Sequence, residues 1–174
     1  MCIRDRKKSR DALRAKRNER QSTLRIWEER LSGNQITGEW TRLLIRDLGA
    51  WLERPHGELD FWLTQVMSGH GVFNKYLHRM GISTSPECSN CDIRGRDDDA
   101  WHTLFECPAF NDIREEAQRS ISALGEEPLT PESLVPVMLR SSTGWDQVAA
   151  FVAAVLRKKM EAERERQRWR STIN

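Results

Sequence analysis

The sequence predicts a mainly α-helical protein, built as a small helical domain with extended charged terminal helices. Apolar residues recur at intervals of three and four along most of the chain, and clusters of glycine and proline interrupt them. Hydrophobic residues make up 38% of the chain and charged residues 31%, which permits a modest core. The longest apolar stretch, residues 148–156, is far shorter than the about 20 residues that cross a bilayer, so we expect no membrane span.

Residues 1–35 form the first predicted unit, a basic helical arm. Residues 4–30 carry eleven basic and five acidic side chains, and Leu24, Trp27 and Leu31 follow helical spacing before SGNQITG ends the helix. The opening letters MCIRDR are also what the end of a transposase-based sequencing adapter encodes. We therefore expect residues 1–6 to be adapter-derived, Cys2 to be uninformative and the chain to be the tail of a longer protein. A native basic start is the alternative.

Residues 36–84 form the second predicted unit, a helical segment that contains the motifs SGHG and YLHR. We expect a helix over about 39–53, a second over about 58–67 and a short one over 72–80. Their apolar faces are typical of a core, and they hold these residues: Trp40, Leu44, Leu48, Trp51, Leu52, Leu59, Trp62, Leu63 and Val66.

Residues 111–174 form the last predicted unit, C-terminal helices with a charged tail. A helix over about 108–124 starts with a proline, and Pro128 and Pro131 mark the next break. The final helix begins near Asp146 and becomes almost wholly charged over 157–170, with seven basic and three acidic residues. Residues 88–132 carry eleven acids against four arginines, so the predicted field is dipolar, with basic ends and an acidic middle.

Between these helices, residues 85–110 contain the string CSNCDIRGRDDDAWHTLFECP. Its spacing, C-x2-C-x10-H-x4-C, places Cys88, Cys91, His102 and Cys107 as two ligand pairs that can close a tetrahedron around one structural Zn²⁺. All the ligands come from protein, so no position is left for an activated water. A redox cysteine pair and coincidence are the alternatives, and neither has a supporting pattern around it. The sequence therefore predicts a CCHC zinc knuckle, and this name is kept below for residues 85–110.

The stretch LTQVMSGHGVFNKYLHRMGISTSPECSNC, followed by WHTLFECPAF, resembles the C-terminal zinc-knuckle region of the reverse-transcriptase polyprotein of non-LTR, LINE-type retrotransposons. The resemblance covers roughly residues 22–124. One departure is Trp101, which stands where a glutamate commonly precedes the histidine and puts the local contacts of the loop in doubt. The resemblance implies a non-catalytic part of a polyprotein whose RNA-directed DNA polymerase lies upstream. The aromatic-Ala-Asp-Asp motif of such a polymerase is missing here, and residues 97–99 are interpreted as a solvated loop tip.

Two functions follow as expectations. The first is a nucleic-acid-binding module that seats template RNA or target DNA against the upstream polymerase domain during target-primed reverse transcription, inside the cell as part of a nuclear ribonucleoprotein. Basic helices would contact phosphates, and the candidate binding residues are His70, Lys75, Tyr76, His78 and Arg79. The alternative for these residues is a solvated helix face with Tyr76 packed inward. The second is a zinc-stabilised structural or protein-interaction module that braces neighbouring domains. A continuous basic face would favour the first, and scattered charges with an exposed apolar patch would favour the second.

Overall fold

The computed structural model describes residues 3–32 and 38–173, so Cys2 lies outside the described residues. These ranges contain no β-strand, only an isolated antiparallel bridge between Glu87 and Asp97. The predicted mainly helical class is confirmed. The α-helices are α1 (Ile3–Ser32), α2 (Glu39–Leu44), α3 (Leu48–Glu53), α4 (Phe61–Ser68), α5 (Asn74–Arg79), α6 (Asn111–Ala123), α7 (Leu134–Arg140) and α8 (Ser142–Ile173).

The first helix, α1, is the predicted basic arm, and it ends at Ser32, where the SGNQITG string begins. Its apolar positions are mostly on the surface: Leu24 is half-buried, whereas Ile26 and Trp27 are exposed. The guanidinium of Arg30 lies over the Trp27 ring, 5.8 Å from its centroid. The stripe that periodicity would assign to a core is therefore largely solvated along the described part of this helix.

The single helix predicted over 39–53 is wrong, because the structure divides it into α2 and α3. The chain leaves helical geometry at Ile45, with φ −102° and ψ 87°. Asp47 then starts a new helix, since its Oδ1 accepts a 2.8 Å hydrogen bond from the backbone N–H of Ala50. An N-capping aspartate inside an apolar pattern therefore overrode the continuous periodicity.

The next two helices agree more closely with the expectation. Asp60 caps α4 by accepting a 2.7 Å bond from the N–H of Leu63, so this helix starts at Phe61 rather than near residue 58. Helix α5 confirms the short helix after SGHG. Within that motif, Gly71 has φ +92°, and a β-carbon there would lie 2.0 Å from Oε1 of Gln65. Only glycine fits this turn.

In the C-terminal half, a short 3₁₀ turn at Pro108–Phe110 precedes α6. The sequence prediction missed α7, which contains a proline. Pro136 is its third residue, so the missing N–H falls in the first turn, where a helical N–H has no intrahelical partner. Helix α8 starts at Ser142, earlier than the predicted Asp146.

The core forms around α8, which packs against α4, α6 and α7. Trp145 of α8 stacks on Trp51 with ring centroids 5.7 Å apart, and the guanidinium of Arg54 lies over both rings. Within the described ranges, no helix has the length and apolar character needed to cross a bilayer. The fully buried side chains of the core include Leu44, Leu63, Val66, Phe73, Leu104, Phe110, Ile121, Leu134, Val137, Met138 and Leu156.

Candidate metal centre

The four predicted ligands come together in the structure. The donor atoms of Cys88, Cys91, His102 and Cys107 all lie within 4.8 Å of one another. Two of the separations are 3.9 Å, between the sulfurs of Cys88 and Cys107, and 3.5 Å, between Cys91 Sγ and His102 Nε2. This arrangement of three sulfurs and one imidazole nitrogen can hold a metal ion.

The first ligand pair is presented by a tight turn. The N–H of Cys88 donates to the carbonyl of Arg96 at 2.9 Å, and the N–H of Asp98 donates to the carbonyl of Pro86 at 2.8 Å. These two bonds close the loop between the ligand pairs. Inside the turn, the N–H of Asn90 points at Cys88 Sγ from 3.4 Å, a contact that favours a negatively charged sulfur.

The second pair is presented by a π-helical turn at His102–Glu106, which the sequence prediction did not include. The N–H of Cys107 donates to the carbonyl of His102 at 2.7 Å. In an α-helix, residues five apart point about 140° away from each other. The wider π-turn brings residues i and i+5 to one side, so it allows an H-x4-C pair to face one ion.

Burial controls the protonation of the free ligands. It raises the pKa of the Cys107 thiol to about 12 and raises the pKa of Cys88 as well. Burial is also the main reason that the pKa of His102 is lowered, and the nearby Arg96 adds to this effect. An imidazole kept neutral is ready to bind a metal, whereas the thiols need a cation to offset the cost of a buried thiolate.

The other nitrogen of the histidine faces a carboxylate. His102 Nδ1 is buried without a hydrogen bond and lies 3.6 Å from Glu106 Oε2. Trp101 donates to Glu106 Oε1 at 3.0 Å, and Arg96 pairs with the same carboxylate. Trp101, the departure from the resemblance, thus helps to hold Glu106 beside the imidazole, where a carboxylate can orient a metal-bound histidine.

The interpretation of residues 97–99 as a solvated loop tip is wrong for Asp98, which has no exposed surface. Its carboxylate accepts hydrogen bonds from the backbone N–H of Asn74 and from the hydroxyl of Thr103, each at 2.8 Å. It also pairs with Lys159, whose Nζ lies 2.7 and 2.5 Å from the two oxygens. Asp98 therefore connects the knuckle to α5 and α8.

Helix α8 makes a second contact with the knuckle. The guanidinium of Arg166 lies 3.2 Å from the carbonyl of Ser89 and 3.2 Å from Oδ1 of Asn90. These two residues form the turn between the first two cysteines. The sequence held one signal for this docking: Lys159 follows Val152 and Val155 at helical spacing, on the buried face of α8. Nothing in the charge run marked Asp98.

The five candidate nucleic-acid-binding residues occupy α5 and the turn before it. His70 stacks on Tyr76, with ring centroids 4.5 Å apart, and the guanidinium of Arg79 lies 5.3 Å from the Tyr76 centroid. Arg79 Nη2 also lies 3.3 Å from His70 Nε2. Tyr76 itself is half-buried against the core, so His70 and Arg79 are the exposed groups of this stack.

The remaining two candidates already have partners. Lys75 Nζ lies 3.1 Å from an oxygen of Asp97 and 3.2 Å from one of Asp99. Although partial burial lowers the pKa of this lysine, the two carboxylates outweigh it, so that its pKa is raised overall. His78 Nδ1 lies 3.0 Å from the carbonyl of Ser83. The ion pairs of Lys75 leave it less free to contact phosphate than Arg79.

The mainly helical fold and the Cys3His cluster packed against it place this chain in the class of small helical proteins with a candidate metal centre. Comparison with known proteins gives the relatives of this chain. It is 29% identical over 103 residues (59% of the chain) to the Retrovirus-related Pol polyprotein from type-1 retrotransposable element R1 4 of Nasonia vitripennis. It is 30% identical over 89 residues (51% of the chain) to the R1 2 Pol polyprotein of the same organism. It is also 30% identical over 92 residues (53% of the chain) to the R1 Pol polyprotein of Bradysia coprophila.

The homologues of the chain are thus Pol polyproteins of R1 non-LTR retrotransposons, which confirms the predicted resemblance at modest identity. The chain spans 26%, 21% and 9% of the lengths of these three relatives. No protein-family model matches the chain, and no solved structure matches it.

Proposed function

We propose that this chain is a zinc-stabilised, non-catalytic nucleic-acid-binding module of a non-LTR retrotransposon polyprotein. In this role it seats template RNA or target DNA for the upstream polymerase domain during target-primed reverse transcription. Its location is a nuclear ribonucleoprotein. The observation that carries the proposal is the docking of the basic half of α8 onto the Cys3His cluster through Lys159 and Arg166.

Zinc is the metal that the donor set fits. Zinc–sulfur bonds of about 2.3 Å at tetrahedral angles put two sulfurs about 3.8 Å apart. The two cysteine sulfurs of 88 and 107 are 3.9 Å apart, and soft thiolate ligands favour zinc over magnesium or calcium. When bound, the ion would stabilise the knuckle as a local core. Its role would be structural, because four protein ligands leave no position for a reactive water.

Nucleic acid is supported by the charge distribution and by the relatives. The basic residues cluster in α1 and in the last half of α8, outside the acidic middle of the chain. The exposed His70 and Arg79 add an aromatic and a basic group at α5 and the turn before it. Polyproteins of retrotransposable elements provide the setting in which a basic, non-catalytic module would meet RNA and DNA.

The test compares binding of labelled single-stranded RNA and DNA by the whole chain, with and without zinc. About four phosphate contacts to a single strand give a slope of log affinity against log salt near −0.7 × 4, or about −3, so that a fourfold rise in salt weakens binding roughly fiftyfold. Arg79→Glu should reduce both affinity and slope. Arg119→Glu, at an exposed arginine of the acidic helix α6, is the matched control and should change neither. A flat salt response with unaltered binding in Arg79→Glu would refute the proposal.

The bracing alternative is favoured by one observation. Leu59 and Phe61, at the start of α4, are 43% and 63% exposed, and Leu52 at the end of α3 is 47% exposed. Apolar groups gathered in one patch are typical of a surface that contacts another domain, and Leu59 and Phe61 are only two residues apart in the chain. If the chain bound neither RNA nor DNA but bound the upstream polymerase domain, and Phe61→Ser abolished that binding, this second function would replace the first.

A further inference from the structure

The end of α8 carries an exposed aromatic side chain that the proposed function has not used. Trp169 is 70% exposed, more than any other tryptophan among the described residues. A single exposed apolar residue is ordinary on a protein surface. Two features set this tryptophan apart: its position on α8 and the positive charge of the residues around it.

Its position is fixed by the docking of α8 on the knuckle. Lys159 and Arg166 point at the knuckle from one side of the helix, through Asp98 and Asn90 respectively. Residues three and four further along a helix are neighbours on the same side, so Trp169 and Arg170 follow Arg166. The rise of 1.5 Å per residue places Trp169 about 4.5 Å beyond Arg166 along the axis. Trp169 therefore lies about one helical turn beyond Arg166, the residue that contacts the Ser89–Asn90 turn of the knuckle.

Its neighbours are basic. From residue 166 to residue 172 the helix carries three arginines and no acid. Arg168 and Arg170 are exposed, and neither forms an ion pair with the part of the chain that the structure describes. The loop between the ligand pairs of the knuckle carries a further exposed arginine, Arg94. A polyanion matches this charge, whereas an apolar protein partner would leave the arginines without counter-charges.

Resting on the proposed function, we propose that Trp169 and Arg170 form, with the Ser89–Asn90 turn, a binding surface for single-stranded nucleic acid. Trp169 stacks on an unpaired base, and Arg170, which follows Arg166 on the same side of α8, contacts a flanking phosphate. Stacking requires a base whose face is free, and a duplex covers those faces, so the partner is single-stranded. Any base offers such a face, so the surface tolerates different sequences.

The experiment measures the binding of fluorescein-labelled oligouridylate, oligothymidylate and a blunt duplex by the zinc-loaded whole chain. Trp169→Leu keeps an apolar side chain but loses the aromatic face, and Trp169→Phe keeps the aromatic face. We expect Trp169→Leu to weaken single-strand binding about tenfold with an unchanged salt slope, because base stacking releases no counterions. Trp169→Phe should retain most of the affinity, and duplex binding should change less than about twofold in either variant.

Phe61→Leu is the matched control, since Phe61 is an exposed aromatic residue outside the basic helices, and it should bind as the unchanged chain does. If Trp169→Leu binds single strands within about twofold of the unchanged chain, the surface does not stack bases and the inference is wrong, while the proposed function stands. Equal losses for single strands and duplex would also overturn it. If the unchanged chain binds no nucleic acid, the proposed function fails as well.

Discussion

The pair formed by Lys159 and Asp98 should dominate the attachment of α8 to the knuckle. Both side chains are buried, with 4% and 0% exposed surface, and Asp98 accepts two further hydrogen bonds. Lys159→Met keeps an unbranched side chain, one atom shorter, and removes its charge. It would leave a buried carboxylate with only neutral donors.

The magnitude follows from the geometry. Nζ lies 2.7 and 2.5 Å from the two oxygens. Two unit charges about 3 Å apart attract by about 5–6 kcal/mol at an effective dielectric constant of about 20. Desolvation cancels much of this in the intact protein, yet removal of one partner of a buried pair costs about 3–5 kcal/mol. We expect Lys159→Met to lower the free energy of unfolding by that amount.

The assay is urea unfolding followed by tryptophan fluorescence, with zinc present throughout. Lys158→Met is the matched control, because the neighbouring lysine pairs with the exposed Asp112 and solvent screens that pair, so the midpoint should hardly move. The double variant Asp98→Asn with Lys159→Met should lose less than the sum of the two single variants. A cost below about 1 kcal/mol for Lys159→Met, close to that of the control, would refute the reasoning.

Three further predictions concern the knuckle and the core. The chain should bind one zinc tightly. Cys107→Ser should weaken metal binding and loosen the knuckle, whereas Cys2→Ser should do neither. Full zinc retention by Cys107→Ser in elemental analysis would contradict the ligand assignment. Glu106→Gln should lower zinc affinity about tenfold, measured by competition with a chelator, because the carboxylate orients the histidine ligand. Gly57→Ala should lower the free energy of unfolding in urea by about 2 kcal/mol or more. The reason is that Gly57 has φ +78° and a β-carbon there would lie 2.1 Å from the Trp145 ring. An unchanged unfolding midpoint would show that the ring can move away.

The sequence alone predicted the helical class and the four residues that the structure groups as candidate metal ligands. Periodicity indicated most helices, because burial of one helical face imposes a spacing of three and four. The ligand set was predictable because Cys88 and Cys107, its outermost members, are only 19 residues apart, so that local turns bring the donor atoms together. Where the prediction was wrong, as in the helix split at Asp47, a capping side chain competed with the apolar pattern.

Only the tertiary structure decided which charges are buried. Asp98 and Lys159 are 61 residues apart: helical spacing placed Lys159 on the buried face of α8, but nothing in the sequence around Asp98 marked it as the partner. The sequence likewise left open whether Tyr76 is exposed or packed inward, and in the structure the core and His70 cover it. The physical reason is that desolvation and stacking depend on which distant surfaces meet, and that is determined by the packing of α8 against the rest of the core.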